Sequence, residues 1–275
     1  MIARTFLSAF EPIISPLAPR WGVILWIACF GFLATAAESA ELSPVAAINK
    51  AGRQRMLSQR IIKAYCQVGL GVEPRQSRIQ IQNAVELFDS QLRQLQSGIS
   101  DSKARQALSR LARQWRPVRS IATGPVNRAG AKKLMKHGDA LLASAHQVTD
   151  LLDGAHGKQV GQLVNLAGRQ RMLSQRLAKA YMLKLWGFDN PAMREEIEAA
   201  GREFADALTI LRAAPENTPA LNQELDAVAL QWEWFRHALM LEGAYSYRLI
   251  VAEASESILQ SMELITRMYE DLPAQ

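Results

Sequence analysis

Eighteen residues of this chain are written twice, and no other feature restricts its fold as strongly. The segment Ile48-Asn-Lys-Ala-Gly-Arg-Gln-Arg-Met-Leu-Ser-Gln-Arg-Ile-Ile-Lys-Ala-Tyr65 returns as Val164-Asn-Leu-Ala-Gly-Arg-Gln-Arg-Met-Leu-Ser-Gln-Arg-Leu-Ala-Lys-Ala-Tyr181, identical at fourteen positions. The register persists further along. Phe88, Leu92 and Leu95 are answered by Phe204, Leu208 and Leu211, and Gln114, Trp115 and Arg119 by Gln231, Trp232 and Arg236, at a spacing of 116 to 117. A period of that length predicts one structural unit used twice. Between these anchors the copies have diverged. Packing accounts for the shared Phe, Leu and Trp, whereas Arg, Gln, Ser and Asn repeated in register point to a site.

Each copy reads as four helices. The first predicts helices near 44–70, 74–97, 101–121 and 127–152, and the second near 158–186, 191–213, 218–241 and 243–271, with Asn190-Pro191 and Thr218-Pro219 as starts. No alternating strand pattern occurs, and Ala, Leu, Gln, Arg and Glu, which suit helices, dominate. The expected fold is all-α, two tandem up-and-down four-helix units over residues 38–152 and 158–275. Three glycines within Asp153–Gly161 favour a turn over a continuous helix, which would set the second motif helix beside the first and parallel to it.

The N-terminus bears on compartment. Arg4 and Arg20 precede an apolar run from Trp21 to Leu33 that ends in Ala34-Thr35-Ala36, the form of a secretory signal over residues 1–37. The alternative is a retained inner-membrane anchor through residues 21–37. Either reading puts the rest of the chain in the periplasm. Cleavage leaves Cys66 alone, so no internal disulfide is expected and a packed core must supply stability.

Charge is distributed unevenly. Residues 50–136 carry 18 Lys or Arg against four acids, and residues 166–275 carry 11 against 16. A basic half often signals nucleic acid, but an exported chain seldom meets any, and the aromatic and glycine signatures of nucleic-acid modules are missing. The charge reads either as a solvated surface or as attraction, of the halves for each other or of the basic half for an acidic partner or lipid headgroups. His137, His146, His156 and His237 show no paired metal spacing and read as surface or capping residues. No nucleophile or paired acid lies on the motif face, so neither a cofactor, a metal nor catalysis is expected. Trp115, Trp232, Trp234 and Phe235 read as core, and Glu195, Glu196 and Glu198 as a helix N-terminal turn.

At about 100° per residue, Ile48, Gly52, Arg55, Gln59 and Ile62 form one stripe with Ser58 at its edge. A glycine inside a helix costs about 1 kcal/mol against alanine, so Gly52 and Gly168 imply close approach of another helix or a ligand. Arg55 and Arg171 lie one turn further on. A guanidinium fork there suits a planar anion, and two such arginines facing each other would repel without an anion between them. The candidate ligand-binding residues are Arg55, Arg171, Gly52 and Gly168, supported by Ser58, Gln59, Ser174 and Gln175. Arg53 and Arg60 project from the other side and suit pairing with acids.

The pattern Asn-x-Ala-Gly-x-x-Arg-Met-x-Ser-x-Arg, at Asn49–Arg60 and Asn165–Arg176, resembles the P-box of NarX-type nitrate/nitrite sensor kinases. The fuller Ala-Gly-Arg-Gln-Arg-Met-Leu-Ser-Gln-Arg string is similar to the N-terminal sensor domain of PilJ-type chemotaxis transducers. The resemblance implies a periplasmic helical bundle that binds nitrate, nitrite or a related small anion between first helices, through an arginine three residues after the glycine, here Arg55 and Arg171. It also implies a membrane-bound sensor or transducer as signalling partner, and a possible homodimer. The alternative is a non-enzymatic interaction protein whose motif docks on a membrane transducer or a pilus-associated complex.

Overall fold

Prolines and short polar side chains set the helix starts. In the computed structural model, which describes residues 42–156, 159–241 and 244–272, α1 (Pro44–Gly69) begins after Ser43, whose hydroxyl accepts from the Ala46 amide at 3.3 Å. α2 (Pro74–Gly98), α6 (Pro191–Arg212) and α7 (Pro219–Ala238) also open on proline, whose missing N–H leaves no helical bond unmade there. Side-chain oxygens of Asp101, Asn190 and Thr218 cap α3 (Ser102–Ala122), α6 and α7. The others are α4 (Arg128–His156), α5 (Gln159–Leu183) and α8 (Tyr245–Glu270). The described residues thus form eight α-helices and no strand.

These limits follow the sequence expectation closely, with two differences. α5 runs into a π-helical turn, Lys184–Phe188, where Gly187 at φ +85° ends the helical path. Gly154 and Gly161 lie inside helices, so only residues 157–158 separate α4 from α5. A Cβ at Gly161 would stand 3.5 Å from Ile48, an ordinary contact, so packing there does not require a glycine. The signal or anchor segment lies outside the described residues. Among those described, no helix is long and apolar enough to cross a membrane.

Helix directions follow from residue pairs. Gly138 lies against Ile62, and the Asn127 amide donates to the Tyr65 hydroxyl at 3.1 Å, so α4 runs antiparallel to α1. Gly161 beside Ile48, Gly168 beside Arg55 and Trp186 against Gly69 make α5 parallel to α1. The chain therefore reverses between α4 and α5, and the two motif helices run side by side.

α1 packs against α2, α4 and α5, and α5 against α6, α8 and α1, with α3 closing the first set and α7 the second. Two up-and-down four-helix units thus share the α1–α5 face, and the described residues fall within one compact unit rather than two. The repeated anchors fasten each set in the same way. Phe88 stacks on Trp115 at 3.9 Å between centroids, and Phe204 on Trp232 at 4.3 Å. Each such pair adds about 0.5–1.5 kcal/mol beyond its buried area. Tyr65 donates to the Pro125 carbonyl at 2.9 Å and Tyr181 to the Leu241 carbonyl at 2.8 Å, so the last motif residue ties down the turn before the fourth helix in both copies. Trp234 departs from the expected core. It is 78% exposed, because it stands two positions from buried Trp232 and so about 200° around α7.

Candidate anion site at the paired motif helices

The motif helices are the most enclosed in the molecule, because each has neighbours on three sides. Arg55 and Arg171 are both fully buried. Their long side chains turn back toward the helix N-terminus, which brings each guanidinium level with a glycine. A Cβ on Gly52 would lie 3.1 Å from Nη2 of Arg55 and 3.9 Å from Nη2 of Arg171; a Cβ on Gly168 would lie 3.0 Å from Arg171 and 3.8 Å from Arg55. The two glycines therefore open the space in which the two cations meet. The cost of glycine in a helix is offset by room for a buried charged group.

What holds each cation comes from the other copy. Nη2 of Arg55 donates to Oδ1 of Asn165 at 2.7 Å, and Nη2 of Arg171 to Oδ1 of Asn49 at 2.6 Å. Each asparagine is oriented in turn by an acid, Asn165 by Asp153 at 2.8 Å and Asn49 by Glu270 at 2.6 Å. Asp153 and Glu270 stand 117 residues apart, so these relays are themselves a repeat. Nε of both arginines is buried without a partner.

The symmetry then fails at one position. Nη1 of Arg171 donates to Glu263 at 2.5 Å, and Arg53 pairs with the same carboxylate. Arg55 makes no ion pair among the described residues. The residue 117 before Glu263 is His146, which is half-buried and whose imidazole is pushed down to about 4 by burial and by the charges of Arg55, Arg169 and Arg176. It is neutral at physiological pH and offers Arg55 no counter-charge. Burial, with Arg169 nearby, lowers the Arg55 guanidinium to about 10, still protonated at neutral pH. Burial and the neighbouring Arg53 and Arg55 lower Arg171.

The structure gives the other motif residues distinct places. Arg60 binds Glu256 at 2.5 Å, and Lys63 binds Glu256 at 2.5 Å and Ser255 at 3.1 Å. Arg53 and Arg60 do pair with acids on the other side of α1, as the helical wheel implies. Glu256, Glu263 and Glu270 recur every seven residues and so form one column on α8 facing basic α1, which is where the opposite charges of the two halves meet. Ser58 and Ser174 bond their own helix, at the carbonyls of Arg55 (2.7 Å) and Arg171 (3.0 Å). Gln59 donates to Ser58 at 2.9 Å, and Gln175 to the Ser255 carbonyl at 2.9 Å. These four residues are buried beside the arginines without bonding either guanidinium. Arg176 and Lys179 bond Glu196 at 2.8 and 3.0 Å, so Glu196 serves tertiary pairing rather than a helix terminus.

Sequence reasoning missed Asn49, Asn165, Asp153, Glu270 and Glu263, and it placed His146 at the surface. The asparagines were visible in the repeat, and the acids at 117-residue spacing were a further signal. His146 could be recognised only as the counterpart of Glu263, because nothing local marks a lone histidine.

No curated protein matches this chain, and no solved structure does. The family described as type IV pili methyl-accepting chemotaxis transducer N-term matches residues 40–148 and again residues 155–264. Those two stretches make up most of the sequence and coincide with the two four-helix sets, and the chain belongs to this transducer N-terminal family, carrying its unit twice.

Proposed function

We propose that this chain is a periplasmic sensor module that binds a small oxyanion such as nitrate or nitrite between Arg55 and Arg171, catalyses nothing, and passes its state to a membrane-associated transducer partner. In this reading residues 1–37 direct export or remain as an anchor, and the copies occupy residues 38–152 and 158–275. The observation that carries it is Arg55: a fully buried cation with no ion pair among the described residues, facing a second buried arginine across paired glycines. Leaving a charge buried and uncompensated is costly, of the order of several kcal/mol. An anion on the guanidinium fork removes that cost with charge-assisted bonds about twice as strong as neutral ones.

The match to a transducer N-terminal family supports the sensor role, since such a region is the part of a transducer placed to receive a signal. The two facing copies also supply in one chain what two protomers would supply in a homodimer. Thermal unfolding against a series of oxyanions tests the proposal. A ligand at 100 times its Kd raises stability by about 2.7 kcal/mol, and Arg55→Lys, which keeps the charge but loses the fork, abolishes the rise. No shift with any oxyanion contradicts it.

The alternative of a docking protein does not fit a motif whose residues are buried in the α1–α5 face. A different surface favours it: Leu230, Trp234 and Met240, on α7 and just beyond, are 68%, 78% and 83% exposed. If docking is the function, Trp234→Ala abolishes partner capture while Arg55→Lys does not.

A further inference from the structure

The two motifs look like equal halves of one site, and their surroundings make them unequal. Arg171 already holds an anion, the Glu263 carboxylate at 2.5 Å. Arg55 has neutral His146 at the matching position and no ion pair among the described residues. The approaches differ as well. Asn165, whose side chain accepts from the Arg55 guanidinium, also lines a surface groove of about 750 Å³ together with Asp153, Arg169, Leu166, Ile210 and Glu216. The Asn165 side chain therefore links Arg55 to that groove. Asn49 likewise lines a groove of about 620 Å³ beside Arg171, where Glu256, Glu263 and Glu270 face Lys50, Arg53, Arg60 and Arg267, and there Glu263 already occupies the guanidinium.

Building on the oxyanion reading above, we propose that the duplicated site takes a single monovalent anion, on Arg55, which reaches it from the α5–α6 groove by displacing the Asn165 side chain. Glu263 acts as the built-in anion of the other half. With Asp150, Asp153 and Glu203 acting on it only at a distance, a guanidinium that lacks a direct carboxylate calls for one negative charge, so a monovalent planar oxyanion fits and a divalent one is disfavoured. Glu263 and His146 are the specificity-determining pair, one silencing a half-site and the other leaving its partner open.

The experiment uses the full chain, with nitrate as the calorimetric probe and anion-poor buffer for thermal unfolding. Wild type binds nitrate with a stoichiometry of one and sulfate at least ~10-fold more weakly, a difference of about 1.4 kcal/mol. His146→Glu supplies Arg55 with a carboxylate, so it raises Tm without anion and weakens nitrate by at least ~10-fold; His146→Gln does neither. Glu263→Gln frees Arg171 and raises the stoichiometry toward two. A wild-type stoichiometry of two, an unchanged or lowered Tm for His146→Glu, or a folded Glu263→Gln that still binds one nitrate overturns the asymmetry. Absence of nitrate binding together with a raised Tm for His146→Glu overturns the oxyanion function and upholds the charge asymmetry.

Discussion

Arg60 and Arg171 belong to the same repeated motif, yet their surroundings assign them different work. Arg60 reaches Glu256 from a position where both side chains keep about a fifth of their surface exposed, and such pairs contribute about 0–1 kcal/mol. Arg171 is fully enclosed and bonded to Glu263 and Asn49. Arg171→Ala is therefore expected to cost about 3–5 kcal/mol, the range for breaking a buried pair, and Arg60→Ala no more than about 1 kcal/mol. Chemical denaturation of the two variants checks this, and equal losses would contradict the assignment. His146 gives a pH signature. Its folded-state value is pushed down to about 4, below an ordinary histidine near 6.5. The unfolded chain therefore binds a proton that the native state refuses, and the associated stability is full above about 6.5 and lost as pH falls toward about 4. His146→Gln flattens that part of the stability profile; superimposable profiles would refute the buried environment.

At the scale of helices, almost everything that set the fold was written locally. Proline starts, the Asx and Ser/Thr caps and the repeated Phe and Trp fixed where helices begin and what they pack against. Two kinds of information were not local. The direction of α5 depended on a reversal that glycine composition suggested but could not place, since Gly154 and Gly161 both lie inside helices. The carboxylate on Arg171 comes from α8, and the one that orients Asn165 beside Arg55 comes from α4; both reach the motif only through tertiary packing. The repeated glycines connect the two scales. Gly52→Ala and Gly168→Ala each gain about 1 kcal/mol of helix propensity while placing a Cβ 3.1 or 3.0 Å from a flexible guanidinium end. Both variants should stay folded, with melting temperatures near that of wild type, and lose oxyanion binding because the arginine is displaced. Retained binding in both would show that the glycines do not shape the site.

In the molecule as a whole, one chain supplies both faces of the α1–α5 interface. The halves differ in charge, so that the acidic column of α8 meets the basic face of α1 while α4 offers His146 at the position of Glu263. The central claim is that the two motif helices lie side by side and parallel within one chain, bringing Arg55 and Arg171 together. Cysteines at Gly52 and Gly168 test it directly, in a background with Cys29 and Cys66 replaced by serine, using a disulfide or a short thiol crosslinker and a non-reducing gel. The account predicts ready bridging within single chains, with a monomer band of altered mobility and no dependence on protein concentration. Bridging only between chains, giving a concentration-dependent dimer band, would contradict it.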